Sequence, residues 1–415
     1  MLLTSAFVFA RYETGTCSEP TIVAPEEAGM DEARLERIGP SMKRFIDEGD
    51  IRGCVTLVAR HGKVVQFDGY GKVGKDTIFR IASMTKPVTA VAALILYEEG
   101  RFLLDDPLAK YIPEFADPVV LEPLPPGESS GKPYRIVPAY QEITVRHIFN
   151  HTSGITYGGG MLREFYDKEN IGSGLRVSED TIGDMVKRLA DLPLAHHPGE
   201  AWAYGLSNDV LGYFIEVVSG KPLDEFVRER IFEPLGMDDT AFYPPESKLD
   251  RVALMSSCDA DGVLHSQPDA ERDAYLRGPR RYFSGGGGLF STASDYYRFA
   301  QMLLNGGELD GVRILGRKTV ELMTSDSTGG IDILGGTGHT RATHGDRYGL
   351  GLGIRACPGD IESIGTFGWG GAFNTLFWVD PAEDMIGIFM SQVRGQPDKT
   401  MHRVFRIHAY SAIAD

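Results

Sequence analysis

Basic residues are scarce in this sequence. Its 42 Lys and Arg face 58 Asp and Glu, a formal net charge of −16 over 415 residues. A surface of that sign repels a phosphate backbone, so nucleic acid is not an expected partner. Cysteine is scarcer still. Cys17, Cys54, Cys258 and Cys357 lie far apart, and no spacing matches a zinc site or a redox pair. Cys54, in "CVTLVAR", reads as a buried strand residue, since a free Cys behaves as a small hydrophobe. No His, Cys or acidic cluster has ligand spacing, so neither metal nor cofactor is expected. No run reaches the ~20 apolar residues of a membrane span. The opening "MLLTSAFVFARYETG" has a short apolar run with no Lys or Arg before it, and so lacks the basic region of an export signal. The expected setting is therefore the cytoplasm, without membrane contact. Oligomeric state is not legible.

What is abundant is glycine, 50 residues of 415, about 12% against a usual ~7%. That excess implies many turns and close backbone approaches. The length suggests two domains. Leu35, Ile38, Met42 and Phe45 share one helical face within 31–48, and "GCVTLVARHGKVVQFDGYG" reads as two strands around a His-Gly turn. Short helical patterns fill the middle, at Val145–Phe149, Thr181–Leu189, Asn208–Val218 and Leu223–Ile231. Long Pro- and Gly-rich loops separate them, including a polar run from about Pro244 to Arg281. Strand patterns return in "RYGLGLGIRA", "IESIGTFGWGG" and the hairpin "FNTLFWVDPAEDMIGIFMSQV". This order predicts an α/β fold whose first domain is built from both chain ends, residues 1–90 and 285–415, with a mostly helical domain, 91–284, inserted between them and the active site in the cleft.

The stretch "FRIASMTKPVTAVAALILYEEG" sets Ser83 and Lys86 at i and i+3, on one face at the start of an apolar helix. There the unpaired N–H groups and the positive dipole end favour an anion, and Pro87 is tolerated because first-turn N–H groups have no helical partner. The pair is a nucleophile and its base, or a helix-capping Ser followed by a solvated Lys; S-x-x-K alone does not decide. "GESSG" around Ser129 matches the nucleophile elbow of another hydrolase fold, but that elbow needs a strand before it and a helix after it. Here "PLPP" precedes and "KPY" follows. His147, His151, His196 and His197 read as structural or loop residues. Gly285–Gly288 reads as a tight turn beside the cleft, since no Lys-Ser/Thr follows it as in a phosphate loop.

Further stretches weigh on the Ser-Lys pair. Tyr204 follows "HHPGEAWA" and opens an apolar helix. Trp369-Gly370-Gly371-Ala372 lies on a strand, where two glycines are costly unless something approaches the backbone closely. With "NHTSG" at 150–154 and "GGGLFSTASDYYRFAQMLLNGG", these motifs resemble, in order and over nearly the whole chain, serine hydrolases of the class C β-lactamase and penicillin-binding-protein superfamily, and more narrowly the family VIII carboxylesterases. The resemblance implies a β-lactamase-like fold, an antiparallel sheet flanked by helices. It implies Ser83 as nucleophile, Lys86 as its proton acceptor or orienter, and Tyr204 as partner base that later activates water. The backbone N–H groups of Ser83 and Ala372 would form the oxyanion hole, and Trp369, Gly370 and Gly371 would stand beside the substrate in place of the lactamase Lys-Thr-Gly. Two departures from the lactamases, Gly205-Leu206 where an Asn follows the Tyr and Trp369 where a cation stands, favour ester over β-lactam hydrolysis. The expected activity is a serine carboxylesterase acting on small to medium acyl esters. A β-lactamase, a D-amino-acid peptidase and an acylated, non-turnover ligand sensor are the alternatives.

Overall fold

The structure, a computed structural model, describes residues 19–125, 127, 132–259, 261–333, 346–395 and 400–415. Strands β1 (Gly53–Arg60) and β2 (Lys63–Gly71) come from the N-terminal part of the chain. From the C-terminal part come β3 (Arg347–Tyr348), β4 (Gly353–Ile354), β5 (Phe367–Gly371), β6 (Thr375–Asp380) and β7 (Met385–Met390). They form one antiparallel sheet in the order β3-β4-β5-β6-β7-β1-β2. The two chain ends meet at the β7–β1 pair, with Val55 opposite Met390 and Arg60 opposite Met385. The β1–β2 turn falls at His61-Gly62, both at positive φ (53° and 69°), as a two-residue hairpin matching the strand twist requires.

The helices that position the site are α1 (Ile38–Asp47), α2 (Thr85–Glu98), α3 (Val145–Asn150), α4 (Ile182–Ala190), α5 (Ser207–Ser219), α6 (Ala293–Leu304) and α7 (Thr400–Ser411). Sheet residues alternate between two apolar layers, as period-2 side chains must. Val55, Leu57, Ala59, Phe377, Ile386 and Ile388 join the large core that contains α2, α5 and α6. Cys54, Val58, Leu376, Trp378, Met385 and Phe389 face the opposite layer, made with α1 and α7. The buried Leu35, Ile38, Met42 and Phe45 belong to that second layer. Cys54 is a buried β1 residue whose thiol is pushed up in pKa by burial. This is the β-lactamase-like arrangement.

Several elements differ from the sequence reading. "RYGLGLGIRA" is two short strands, because the Gly349 N–H turns back to the Leu352 carbonyl and Gly351 takes φ 89°. A Cβ at Gly351 would collide with Ala90 of α2. The helix read over Leu223–Ile231 is α-helical over Leu223–Val227 and widens to a π turn over Arg228–Phe232. The polar run near 244–281 contains a hairpin of Ser256–Cys258 with Leu264–Ser266 and a helix, Asp269–Arg277. Twelve consecutive residues of α2, Thr85 to Leu96, are buried. The helix therefore lies inside the core.

Strand β5 touches the Ser83 segment through Gly371. A Cβ there would overlap the Ile81 carbonyl oxygen and the Thr375 hydroxyl, and that hydroxyl itself donates to the Ile81 carbonyl (3.2 Å). Backbone on one side and a strand neighbour on the other leave little room for relaxation. Gly371→Ala is expected to destabilise the protein by about 1–3 kcal/mol, the usual cost of overpacking, and to lower activity. Urea unfolding with unchanged midpoint would disprove this close approach.

Candidate active site

Ser83 is presented by strained backbone. Ala82 is a non-glycine residue at φ 45°, a conformation that costs on the order of 1–3 kcal/mol and persists only where surroundings impose it. The surroundings are plain. The Ile81 N–H donates to the Leu289 carbonyl (3.0 Å) and its carbonyl is held by Thr375. A 3-10 turn, Ala82–Met84, follows and runs into α2, with Pro87 in the first α-helical turn. Tyr296 ties the Met84 carbonyl down from α6 at 2.8 Å.

Lys86 is fully buried (0% exposed). Its Nζ lies 3.0 Å from Ser83 Oγ, 2.7 Å from the Gly286 carbonyl oxygen and 3.4 Å from the Tyr157 hydroxyl. The Tyr204 ring covers it, with the centroid 4.6 Å away. Gly286 can only accept, so it holds one amine N–H in every protonation state. A neutral amine then has one hydrogen and one lone pair to divide between Ser83 and Tyr157. The Gly285–Gly288 run packs against the site: Thr89 donates to the Gly285 carbonyl at 2.8 Å, and a Cβ at Gly286 would collide with Asp209.

Tyr204 does not hydrogen-bond Ser83 or Lys86 among the described residues. Its hydroxyl accepts from the Trp369 indole N–H at 3.0 Å and also shares a hydrogen bond with the Tyr157 side chain. Trp369, expected beside the substrate, is 1% exposed. Its ring packs edge-on to Tyr348 and its one donor is committed to Tyr204. Ala372 follows the end of β5 and packs with Ala82, Met255 and Phe373. The structure thus gathers Ser83, Lys86, Tyr204, Trp369, Gly371 and Ala372 around one turn.

Tyr157 was read as part of a loop. It is 38% exposed, yet burial around its hydroxyl pushes its pKa well above 10, with Tyr204 and Asp209 adding to the rise. The hydroxyl therefore stays protonated. His151, at the αL end of α3, is buried among Trp202, Tyr204 and Tyr348, with ring centroids 4.8–5.8 Å away. Burial, and then the Lys86 charge, hold it well below the ordinary 6.5, so it is a neutral packing partner of Tyr204. His147 caps α3, accepting the Thr144 N–H. His197 is buried, stacked on Tyr140 and bonded to Glu122 at 3.2 Å. Asp209, on α5, accepts from Ser284 at 2.6 Å, and burial raises its pKa against that bond and the Lys86 charge. Ser129 lies outside the described residues. Among those described, no group of three or more His, Cys, Asp or Glu could hold a metal, and no helix is long and apolar enough to cross a membrane.

Comparison with known proteins places the family and the fold. The beta-lactamase family profile matches residues 37–410. Protein Rv1367c of Mycobacterium tuberculosis is 34% identical over 369 residues, covering 85% of this chain and 88% of that one. Esterase EstB of Burkholderia gladioli is 29% identical over 400 residues, covering 89% and 92%. Among solved structures, EstCE1, described as a hydrolase with promiscuous acyltransferase activity, superposes with a TM-score of 0.73 at 24% identity over 92% of this chain and 99% of its own. A profile match across nine-tenths of the length, a shared fold and a buried Ser-Lys pair at a helix start lead to one assignment: the protein belongs to the beta-lactamase family of serine hydrolases.

Proposed function

We propose that this protein is a carboxylesterase that cleaves small to medium acyl esters through a covalent acyl-enzyme. The observation that carries the reading is the 3.0 Å contact of Ser83 Oγ with a wholly buried Lys86 Nζ. The likeness to an esterase over 92% of that relative's length supports it. So does Trp369, an uncharged, buried residue at the position where the lactamase pattern has a cation for the β-lactam carboxylate.

In the proposed reaction Ser83 Oγ attacks the ester carbonyl carbon while its proton passes to Lys86 Nζ. The carbonyl oxygen becomes an oxyanion held by the backbone N–H groups of Ser83 and Ala372, where one donor is worth about 3–4 kcal/mol. Collapse breaks the carbon–alkoxy oxygen bond, and the leaving alkoxide takes a proton from Lys86, relayed by the Tyr157 or Tyr204 hydroxyl. A water then loses a proton to the same relay and attacks the acyl carbon. The acid leaves and the proton returns to Ser83, so one ester and one water yield one acid and one alcohol.

Ser83→Ala is expected to remove turnover of a p-nitrophenyl ester by a factor on the order of 10⁶ in kcat, as in other covalent hydrolases. Many turnovers per chain on that ester, exceeding those on a cephalosporin, support the esterase. A single burst turnover would point to an acylated sensor, and faster cephalosporin cleavage to a lactamase.

The two tyrosines are separable. Tyr157→Phe removes only the hydroxyl beside Lys86, and the half-exposed ring keeps its packing. A fall of about 10²–10⁴ in kcat, typical of acid–base catalysis, is expected, and near wild-type kcat would remove Tyr157 from the relay. Tyr204→Phe is expected to cost a similar factor and also to leave the buried Trp369 N–H unpaired, about 1–3 kcal/mol of stability. Intact-mass detection of accumulated acyl-enzyme in Tyr204→Phe would assign it to deacylation. Unchanged turnover would make it a packing residue.

A further inference from the structure

Four Lys or Arg side chains are buried among the described residues. Arg60 is matched by Glu383 and Asp415, and Arg355 by Asp360 and Glu362. Lys86 serves the catalytic turn. Arg80 is different. It is 7% exposed, three residues before Ser83, and no Asp or Glu among the described residues pairs with it. Its guanidinium is sandwiched between the rings of Tyr275 (3.5 Å) and Phe373 (4.6 Å), donates from Nη2 to the Leu175 carbonyl at 3.0 Å and also hydrogen-bonds the Tyr275 side chain. A second cation stands at the same ring: the Arg394 guanidinium is 5.6 Å from the Phe373 centroid, and it too has no carboxylate partner among the described residues. Gln392 links the two, clamping the Arg80 backbone N–H at 2.8 Å and its carbonyl at 3.3 Å. Burial, and the charge of Arg394, both work against Arg80 carrying its proton.

Two like charges at one ring, one of them buried, are unfavourable without a counter-ion, and this chain has an excess of 16 negative charges from which to supply one. Arginine's planar fork is suited to binding a carboxylate by two hydrogen bonds, and most of the Arg80 donors remain uncommitted. The position relative to the reaction is informative. Phe373 follows Ala372, and Ala82, Met255, Leu175 and Phe373 pack in one apolar cluster that joins the Ser83 turn, through Ala82, to the Phe373 ring at which both guanidinium groups stand. We propose that Arg80 and Arg394 form a subsite for a carboxylate carried by the ester substrate, a few methylenes from the scissile carbonyl, with the intervening chain lying along Leu175 and Phe373. The inference rests on the ester-hydrolysis reading and gives it a substrate class, half-esters of dicarboxylic acids.

The test compares kcat/KM for the p-nitrophenyl half-ester of adipic acid with that for p-nitrophenyl hexanoate, of equal acyl length but neutral. The half-ester is expected to be preferred by about tenfold or more, the scale of a charge-assisted pair, and the preference to shrink as salt is raised. In Arg394→Gln, an exposed position whose loss leaves the core intact, the ratio is expected to fall toward one. Arg80→Gln is expected to do the same and Arg80→Lys to restore part of it. No wild-type preference, or a preference unchanged in Arg394→Gln, would overturn the subsite and make Arg80 a stacked brace between two rings, whatever becomes of Arg80→Gln on folding. Thermal unfolding with adipate itself keeps the two readings apart. If neither ester is turned over but adipate raises the wild-type Tm and not that of Arg394→Gln, the esterase reading fails and the subsite stands. If adipate shifts neither protein, the subsite falls.

Discussion

A fully buried amine has to have its N–H groups matched, and the way Lys86 meets that requirement organises the surrounding structure. One N–H is fixed on the Gly286 carbonyl at 2.7 Å, so the remaining capacity is directed at Ser83 and Tyr157. For that carbonyl to reach the amine, the 285–288 segment must pack without side chains against α5 and Asp209. For Ser83 to face the amine, Ala82 must be held at φ 45°. That conformation is imposed by β6, through Thr375, and by the segment ahead of α6, through the Leu289 carbonyl. The sheet, the helical region and the glycine turn therefore meet at a single nitrogen atom.

The aromatic cluster serves the same nitrogen from the other side. Tyr204 is fixed by its bond from Trp369 and by packing on Trp202 and His151. Its ring lies over Lys86, and its hydroxyl is shared with Tyr157. A rigid aromatic wall loses little entropy on ordering a substrate and excludes water from the amine. His151 contributes as a neutral ring, which suits a position beside the Lys86 charge.

Much of this was legible in the chain. The apolar runs of "GCVTLVARHG" and "TLFWVDPAEDMIGIF", bounded by His-Gly and Asp-Pro-Ala-Glu-Asp turns, marked the central strands, because a sheet with apolar layers on both sides reads as short continuous apolar runs between turn residues. Ser83 and Lys86 were legible as a pair, since three residues of helix bring two side chains together whatever surrounds them. The glycines of "WGG" announced a close approach, and Gly371 has one. Tyr157 was not legible, because a loop carries no periodicity from which to infer where a side chain points. The burial of Trp369 and its bond to Tyr204 were not legible either, since 165 residues separate the partners.

By itself, then, the sequence determined the local geometry: which residues pair along one helix, which turns need glycine, and which runs read as strands. These depend on covalent neighbours and on the periods of helix and strand. Only the tertiary structure decided what is dry, what is paired and what is left without a counter-charge. Lys86 is buried because α2 runs through the core, Tyr157 reaches it because the loop after α3 folds back over that helix, and Arg80 has no carboxylate partner among the described residues because the elements packed on it bring tyrosine and phenylalanine rings. Burial and charge matching are properties of contacts between distant segments, and no spacing along a chain encodes them.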